Sequence, residues 1–115
     1  MLVRTVALAL ALVPMTAGAA ELVSPNDLAA GWFNGKTITS TNEHGRSTKL
    51  TFAADGKVTL EGRGGKDRQG TWHKTSDGFC MTLGQAKRES CYIAVRDGTA
   101  VKVIRAGAGS FTWTR

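Results

Sequence analysis

The chain has 115 residues and a formal net charge of +6, with 15 basic residues against 9 acidic ones. This balance favours anionic partners, namely envelope lipid, cell-wall polymer, an acidic protein or nucleic acid, although a basic periplasmic protein without such a partner has the same composition. Two cysteines and two distant histidines do not make a compact ligand set, so the composition argues against a metal site.

Residues 1–19 have the features of a secretory signal peptide. Arg4 supplies the positive start, the apolar run from Thr5 to Val13 is too short to span a bilayer, and Ala17-Gly18-Ala19 matches an A-x-A cleavage site. We therefore expect a periplasmic or secreted protein with no transmembrane segment after cleavage, and export removes nucleic acid as a partner. Residues 20–115 then form a single domain of roughly 95 residues, small enough for a disulfide to matter.

A short helix is predicted at the start of this domain. Ser24 is a suitable N-cap, Pro25 fits the first helical position, and Asp27 completes a shortened capping box. Gly31 ends the segment, and Leu28 is expected to plug one end of a sheet.

Strand patterns follow from Gly35 to the end of the chain. Asp-Gly turns recur at 55, 77 and 97, which is the spacing of an antiparallel meander. About eight short strands with no room for crossover helices predict an all-β, up-and-down sheet closed into a small barrel. The expected interior residues are Ile38, Leu50, Phe52, Val58, Leu60, Trp72, Val101, Val103, Phe111 and Trp113.

The two cysteines lie on successive strands. If these strands pair around the loop 84–88, Cys80 and Cys91 come roughly opposite each other, at a separation that a disulfide can bridge. Alternation, however, places Phe79, Met81 and Leu83 on the face opposite to Cys80. Either both sheet faces are partly covered or a β-bulge shifts the register, and an exposed row of these three residues would be a partner surface.

Short motifs resemble known barrels. Trp32-Phe33-Asn34 and the stretch from Leu50 to Leu60 resemble the opening of an avidin-like barrel, and Gly70-Thr71-Trp72 is similar to the G-x-W element of calycin-type barrels. The resemblance implies a barrel and places Asn34 where an avidin contacts its ligand. Ile38 replaces the hydroxyl residue expected nearby, so biotin binding is not carried over. The cysteine placement also resembles small exported bacterial proteins of unknown function.

Two sets of residues are candidates for binding. A barrel of this size holds one modest ligand or is filled by its own side chains, and the bulky interior residues leave both outcomes open. Arg63, Lys66 and Arg68 form a basic cluster in a Gly-rich loop, which is either an anion site or a flexible hairpin loop. The candidates for contact with a ligand or partner are Trp32, Asn34, Trp72, Phe79, Met81, Leu83, Tyr92 and Trp113.

The leading functional prediction is an exported, non-enzymatic binding module without a cofactor. Its partner would be a protein, including an envelope hydrolase that it inhibits, or a small ligand. One alternative is a structural envelope protein held to anionic polymer or lipid by its basic loops. Another is a small hydrolase that uses His73 as a base with Ser76 or Asp77 nearby, against which stands a solvated strand histidine.

Overall fold

The computed structural model describes residues 21–84 and 88–115, without the side chain of Arg63, so the predicted signal peptide lies outside the described residues. The described residues form one short helix and eight antiparallel strands, in which each strand pairs with the next and the last pairs with the first. This closed barrel confirms the predicted fold class. The elements are α1 (Pro25–Gly31), β1 (Thr37–Asn42), β2 (Ser47–Phe52), β3 (Lys57–Leu60), β4 (Arg68–Lys74), β5 (Phe79–Leu83), β6 (Ser90–Asp97), β7 (Ala100–Arg105) and β8 (Gly109–Thr114).

The helix begins and ends where the sequence indicates. Ser24 has extended backbone and its hydroxyl accepts a hydrogen bond from the Asp27 amide at 3.1 Å, which satisfies one of the free donors of the first turn. Leu28 is fully buried in the core. The helix lies at one end of the barrel, because Gly31 accepts a hydrogen bond from Arg115 after β8 and Asn26 accepts one from Lys74 at the end of β4.

We call this end of the barrel the closed end. It contains the last residues of β2, β4, β6 and β8 and the first residues of β1, β3, β5 and β7. The opposite end, which we call the open end, contains the turns after β1, β3, β5 and β7. An antiparallel meander places alternate connections at opposite ends, so this division follows from the topology alone.

Two of the three Asp-Gly turns depend on glycine for its backbone freedom. Gly56 and Gly98 have φ values of 97° and 65°, a region that other residues rarely adopt. Gly78 is different, because a Cβ at this position would overlap the backbone carbonyl of Tyr92 on β6. The third glycine therefore permits close approach of two strands rather than a left-handed turn.

The disulfide and the strand register are both resolved. Cys80 pairs directly with Cys91 across β5 and β6, and their sulfurs are bonded. Phe79 has no exposed surface, and Met81 and Leu83 pack against the core, so this row faces the interior and the disulfide lies on the outer face. The row is therefore not an exposed partner surface, because alternation places it on the face opposite to the cysteines and that face is the barrel interior.

An additional segment pairs with β6. The Val23 amide donates to the Ala94 carbonyl at 2.8 Å, and the Arg96 amide donates to the Glu21 carbonyl at 2.8 Å. This segment covers the part of β6 that extends beyond β5, so it satisfies backbone groups that would otherwise form a free edge. Val23 is buried as a result, with 2% of its surface exposed. The sequence pattern gave no indication of this contact.

The interior follows the predicted alternation closely. Of the ten residues expected inside, eight are buried, while Leu60 and Phe111 are half-buried and pack against the core. These two exceptions lie toward the open end, which indicates that the interior is not equally filled along the barrel.

A candidate ligand cavity at the open end of the barrel

Aromatic side chains fill the closed end. The Phe33 ring stacks on Phe52 with ring centroids 4.2 Å apart and lies 4.6 Å from Trp72. Phe79 and Trp113 complete this cluster at 5.1 and 5.9 Å from Phe33. Tilted and edge-to-face contacts of this kind are favourable arrangements for aromatic pairs, so this half of the barrel is a packed core.

The open end encloses a cavity of about 240 Å³, to which all eight strands contribute. Trp113 forms its floor and also belongs to the aromatic cluster, because the centroids of its ring and the Phe52 ring are 5.4 Å apart. Most of the wall is apolar, and its apolar side chains include Leu50, Leu60, Leu83, Val103 and Phe111. The barrel is therefore filled at one end and hollow at the other, which combines the two outcomes that the sequence left open.

The polar part of the wall lies mostly toward the rim. Arg46, in the turn after β1, and Arg68, the first residue of β4, both line the cavity. The Asn42 side chain accepts hydrogen bonds from the amides of His44 and Arg46 at 2.9 and 3.0 Å, and this fixes the turn that carries Arg46. No carboxylate lines the cavity, so the charged side chains in its wall, Arg46 and Arg68, are both cationic.

Four of the eight predicted binding residues are brought together here. Met81, Leu83, Tyr92 and Trp113 line the cavity on β5, β6 and β8. The sequence signal for them was strand alternation combined with aromatic content. Ser40, Leu60 and Arg46 were not predicted as binding residues, and for Leu60 the signal was present, since it was already assigned to the interior.

The other four predicted binding residues lie toward the closed end. Trp32 is buried and carries the Arg115 guanidinium 4.2 Å from its ring centroid, and the Trp72 indole donates to the Ala53 carbonyl at 2.8 Å. Phe79 is in the aromatic cluster. Asn34 is exposed and accepts a hydrogen bond from the Lys36 amide at 3.3 Å. None of these four residues lines the cavity.

The predicted basic cluster shares one residue with the cavity. Arg68 lines it, whereas Lys66 is exposed in the loop that follows a short 3-10 turn at Arg63–Gly65. The Asp67 carboxylate accepts a hydrogen bond from the Gly62 amide at 3.3 Å and closes this loop. Arg68 therefore belongs both to the predicted anion-binding cluster and to the lining of the candidate ligand cavity.

His73 lies on the outer face of the barrel. Its Nδ1 is 3.4 Å from Glu89 Oε2, and the two side chains are 56% and 46% exposed. Cys80 Sγ lies near both groups, but it is bonded to Cys91, so the cluster offers an imidazole and a carboxylate in open solvent. An exposed pair of this kind is held weakly, and no described cavity encloses a substrate beside it.

The comparisons with known proteins give no match: no family model, no curated protein and no solved structure corresponds to this chain. The resemblance to avidin-like and calycin-type barrels therefore stays an expectation from short motifs. Within residues 21–84 and 88–115, no helix is long and apolar enough to cross a membrane.

Proposed function

We propose that this protein is an exported, non-enzymatic binding module that takes a small, largely apolar ligand into the open end of its barrel. The observation that supports the proposal is the cavity of about 240 Å³ above Trp113, in a barrel whose other end is packed with aromatic rings. Pockets for drug-sized ligands have volumes of roughly 300–1,000 Å³. The ligand is therefore smaller than a typical drug.

The rigid frame around the cavity favours such a function. The disulfide joins β5 and β6, which both contribute to the cavity wall. The aromatic cluster fixes the floor from below. Because these groups are already ordered before a ligand arrives, binding loses less conformational entropy than it would in a flexible site.

A small ligand is favoured over a protein partner by the scarcity of exposed apolar surface. Among the described residues, Leu22 is the one large hydrophobic residue that is exposed, at 48%. A protein docking surface would be expected to show a contiguous apolar patch. The predicted row at 79–83 does not provide one, because it faces the interior.

The disulfide is compatible with an exported protein. Disulfides form and persist in oxidising compartments such as the periplasm or the extracellular space. The Cys80–Cys91 bond is compatible with the secretory signal that the sequence predicts. We therefore place the function in the periplasm or outside the cell.

The proposal is tested with a neutral apolar probe, N-phenyl-1-naphthylamine, whose fluorescence rises in an apolar site. We expect saturable binding to the wild-type protein and its loss in Leu60→Trp, because the larger ring fills the cavity. Leu22→Trp is the matched control, since it makes the same change at an exposed leucine that pairs with Val95 away from the cavity. Absence of probe binding to the folded wild type, or binding that Leu60→Trp leaves intact, would contradict the proposal.

A further inference from the structure

We infer that the ligand carries one anionic oxygen group, such as a carboxylate, which Arg46 and Arg68 hold at the rim while its apolar body extends toward Trp113. This inference rests on the proposed function and specifies the class of ligand. It follows from the distribution of charged and apolar side chains along the cavity. Two guanidinium groups lie at the rim, and the wall below them is mainly apolar. A ligand that matches this wall is amphipathic, with its charge at one end.

The two arginines are available to a ligand. Within the described ranges neither guanidinium takes part in an ion pair, whereas Arg96 contacts Glu21 at 2.9 Å and Asp27 at 3.7 Å. The cavity wall itself contains no acidic residue. A guanidinium group presents donors in a planar fork that matches a carboxylate, which makes arginine well suited to bind this group.

Local structure positions both arginines beside the apolar wall. Asn42 accepts hydrogen bonds from two amides of the turn that carries Arg46. Arg68 pairs with Leu60 in the β3–β4 register, and both residues line the cavity. A cationic group and an apolar side chain are thus neighbours on the same wall, as an amphipathic ligand requires.

Ser40 provides a second polar contact deeper in the barrel. Ser40 is only 7% exposed, yet its hydroxyl forms no hydrogen bond within the described part of the chain. No fully enclosed side-chain nitrogen or oxygen in that part lacks a partner, so the Ser40 hydroxyl opens into the cavity it lines. Buried hydroxyls normally have a hydrogen-bond partner, and a neutral oxygen partway along the apolar body of the ligand, separate from the anionic group at the rim, would supply one.

A carboxylate in a groove beside the cavity opposes the inference and provides a test of it. Glu61 lines a shallow groove that adjoins the cavity and also includes Arg46. Its negative charge is expected to weaken the attraction of Arg46 for an anion. Glu61→Gln should therefore strengthen anion binding without changing the affinity for a neutral ligand.

The experiment compares three ligands that share one apolar chain: octanoate, 1-octanol and octylammonium. Each displaces N-phenyl-1-naphthylamine from the folded protein, and the displacement gives its Kd. We expect octanoate to bind about tenfold more tightly than 1-octanol, because two charge-assisted hydrogen bonds are added. Octylammonium should bind most weakly.

Variants identify the source of the preference. The double variant Arg46→Gln/Arg68→Gln should reduce octanoate to the affinity of 1-octanol and leave 1-octanol unchanged. Lys102→Gln is the control, because it removes one positive charge from an exposed, outward-facing position on β7 between two buried valines. Circular dichroism and thermal unfolding confirm that each variant is folded.

The outcomes separate the two proposals. Equal binding of all three ligands, or an octanoate preference that survives in the double variant, would overturn the inference while the proposed function stands. Absence of binding by the probe and all three ligands would overturn both. A preference that Lys102→Gln removes as fully as the double variant would show a general charge effect and would also overturn the inference.

Discussion

Removal of the disulfide should destabilise the barrel by about 3 kcal/mol. Cys80 and Cys91 are 11 residues apart in sequence, and loop-closure entropy for a loop of roughly this size corresponds to about 3 kcal/mol at 25 °C. We expect the full loss of stability in this protein, because only three residue pairs join β5 to β6, and the cysteine pair is one of them. The perturbation is the double variant Cys80→Ala/Cys91→Ala.

The assays are equilibrium unfolding in urea and thermal unfolding, both followed by tryptophan fluorescence and circular dichroism. For a domain of this size the predicted loss corresponds to a Tm lowered by roughly 12 to 24 °C. The m-value should also rise, because a denatured chain without the cross-link is more expanded and exposes more surface. Chemical reduction of the wild-type protein is the matched control and should give the same loss.

A small loss of stability in a folded double variant would contradict this prediction. A loss below about 1 kcal/mol with an unchanged m-value would mean that the cross-link does not limit the unfolded chain as the entropy model requires. If the double variant and the reduced wild type differ strongly in their free energies of unfolding, the alanine substitutions themselves would be the cause of the loss.

Three further predictions concern backbone approach, core packing and the exposed histidine. Gly70→Ala should prevent or severely weaken folding, because a Cβ there would overlap the Thr82 carbonyl. Gly31→Ala should be tolerated, since its Cβ meets only a side-chain atom at 3.5 Å. Soluble yield and circular dichroism distinguish the two variants. In urea unfolding, Phe33→Ala should lower the free energy of unfolding by about 3–5 kcal/mol, because Phe33 is buried among aromatic rings. Leu60→Ala should lower it by less than about 2 kcal/mol, because Leu60 borders the cavity. Equal losses in the two variants would contradict a filled closed end and a hollow open end. His73→Ala should change the free energy of unfolding by less than about 1 kcal/mol and leave probe binding intact, because the contact of His73 with Glu89 is exposed. A larger loss of stability, or a loss of probe binding, would contradict this prediction.

The strand order was accessible from sequence because the physical signals are local. Alternation placed Leu50 and Phe52 on one face of β2, and glycines such as Gly56 marked the turns. An all-antiparallel chain with short connections has few ways to arrange such strands, so the closed barrel followed. The cysteine pairing followed from the same reasoning, since a disulfide requires the two strands to face each other.

The position of the cavity was not accessible in the same way. Alternation indicates which face a side chain occupies but not how far along the barrel it lies, so Trp72 and Trp113 looked equivalent although only Trp113 reaches the cavity. The closed end is filled partly by Phe33, which comes from outside the strands, where strand periodicity carries no information. The pairing of Val23 with β6 was missed for a similar reason, since a three-residue segment has too short a pattern to indicate a strand.

The most direct test of the account is to map where octanoate binds by nuclear magnetic resonance on protein labelled at leucine methyl groups and tryptophan indoles. The account predicts that octanoate shifts the signals of Leu60, Leu83 and Trp113, which line the open end, and leaves Leu28 at the closed end unchanged. Shifts that cluster at Leu28 or on the outer face, with Leu60 and Leu83 unaffected at saturating octanoate, would contradict a ligand cavity at the open end.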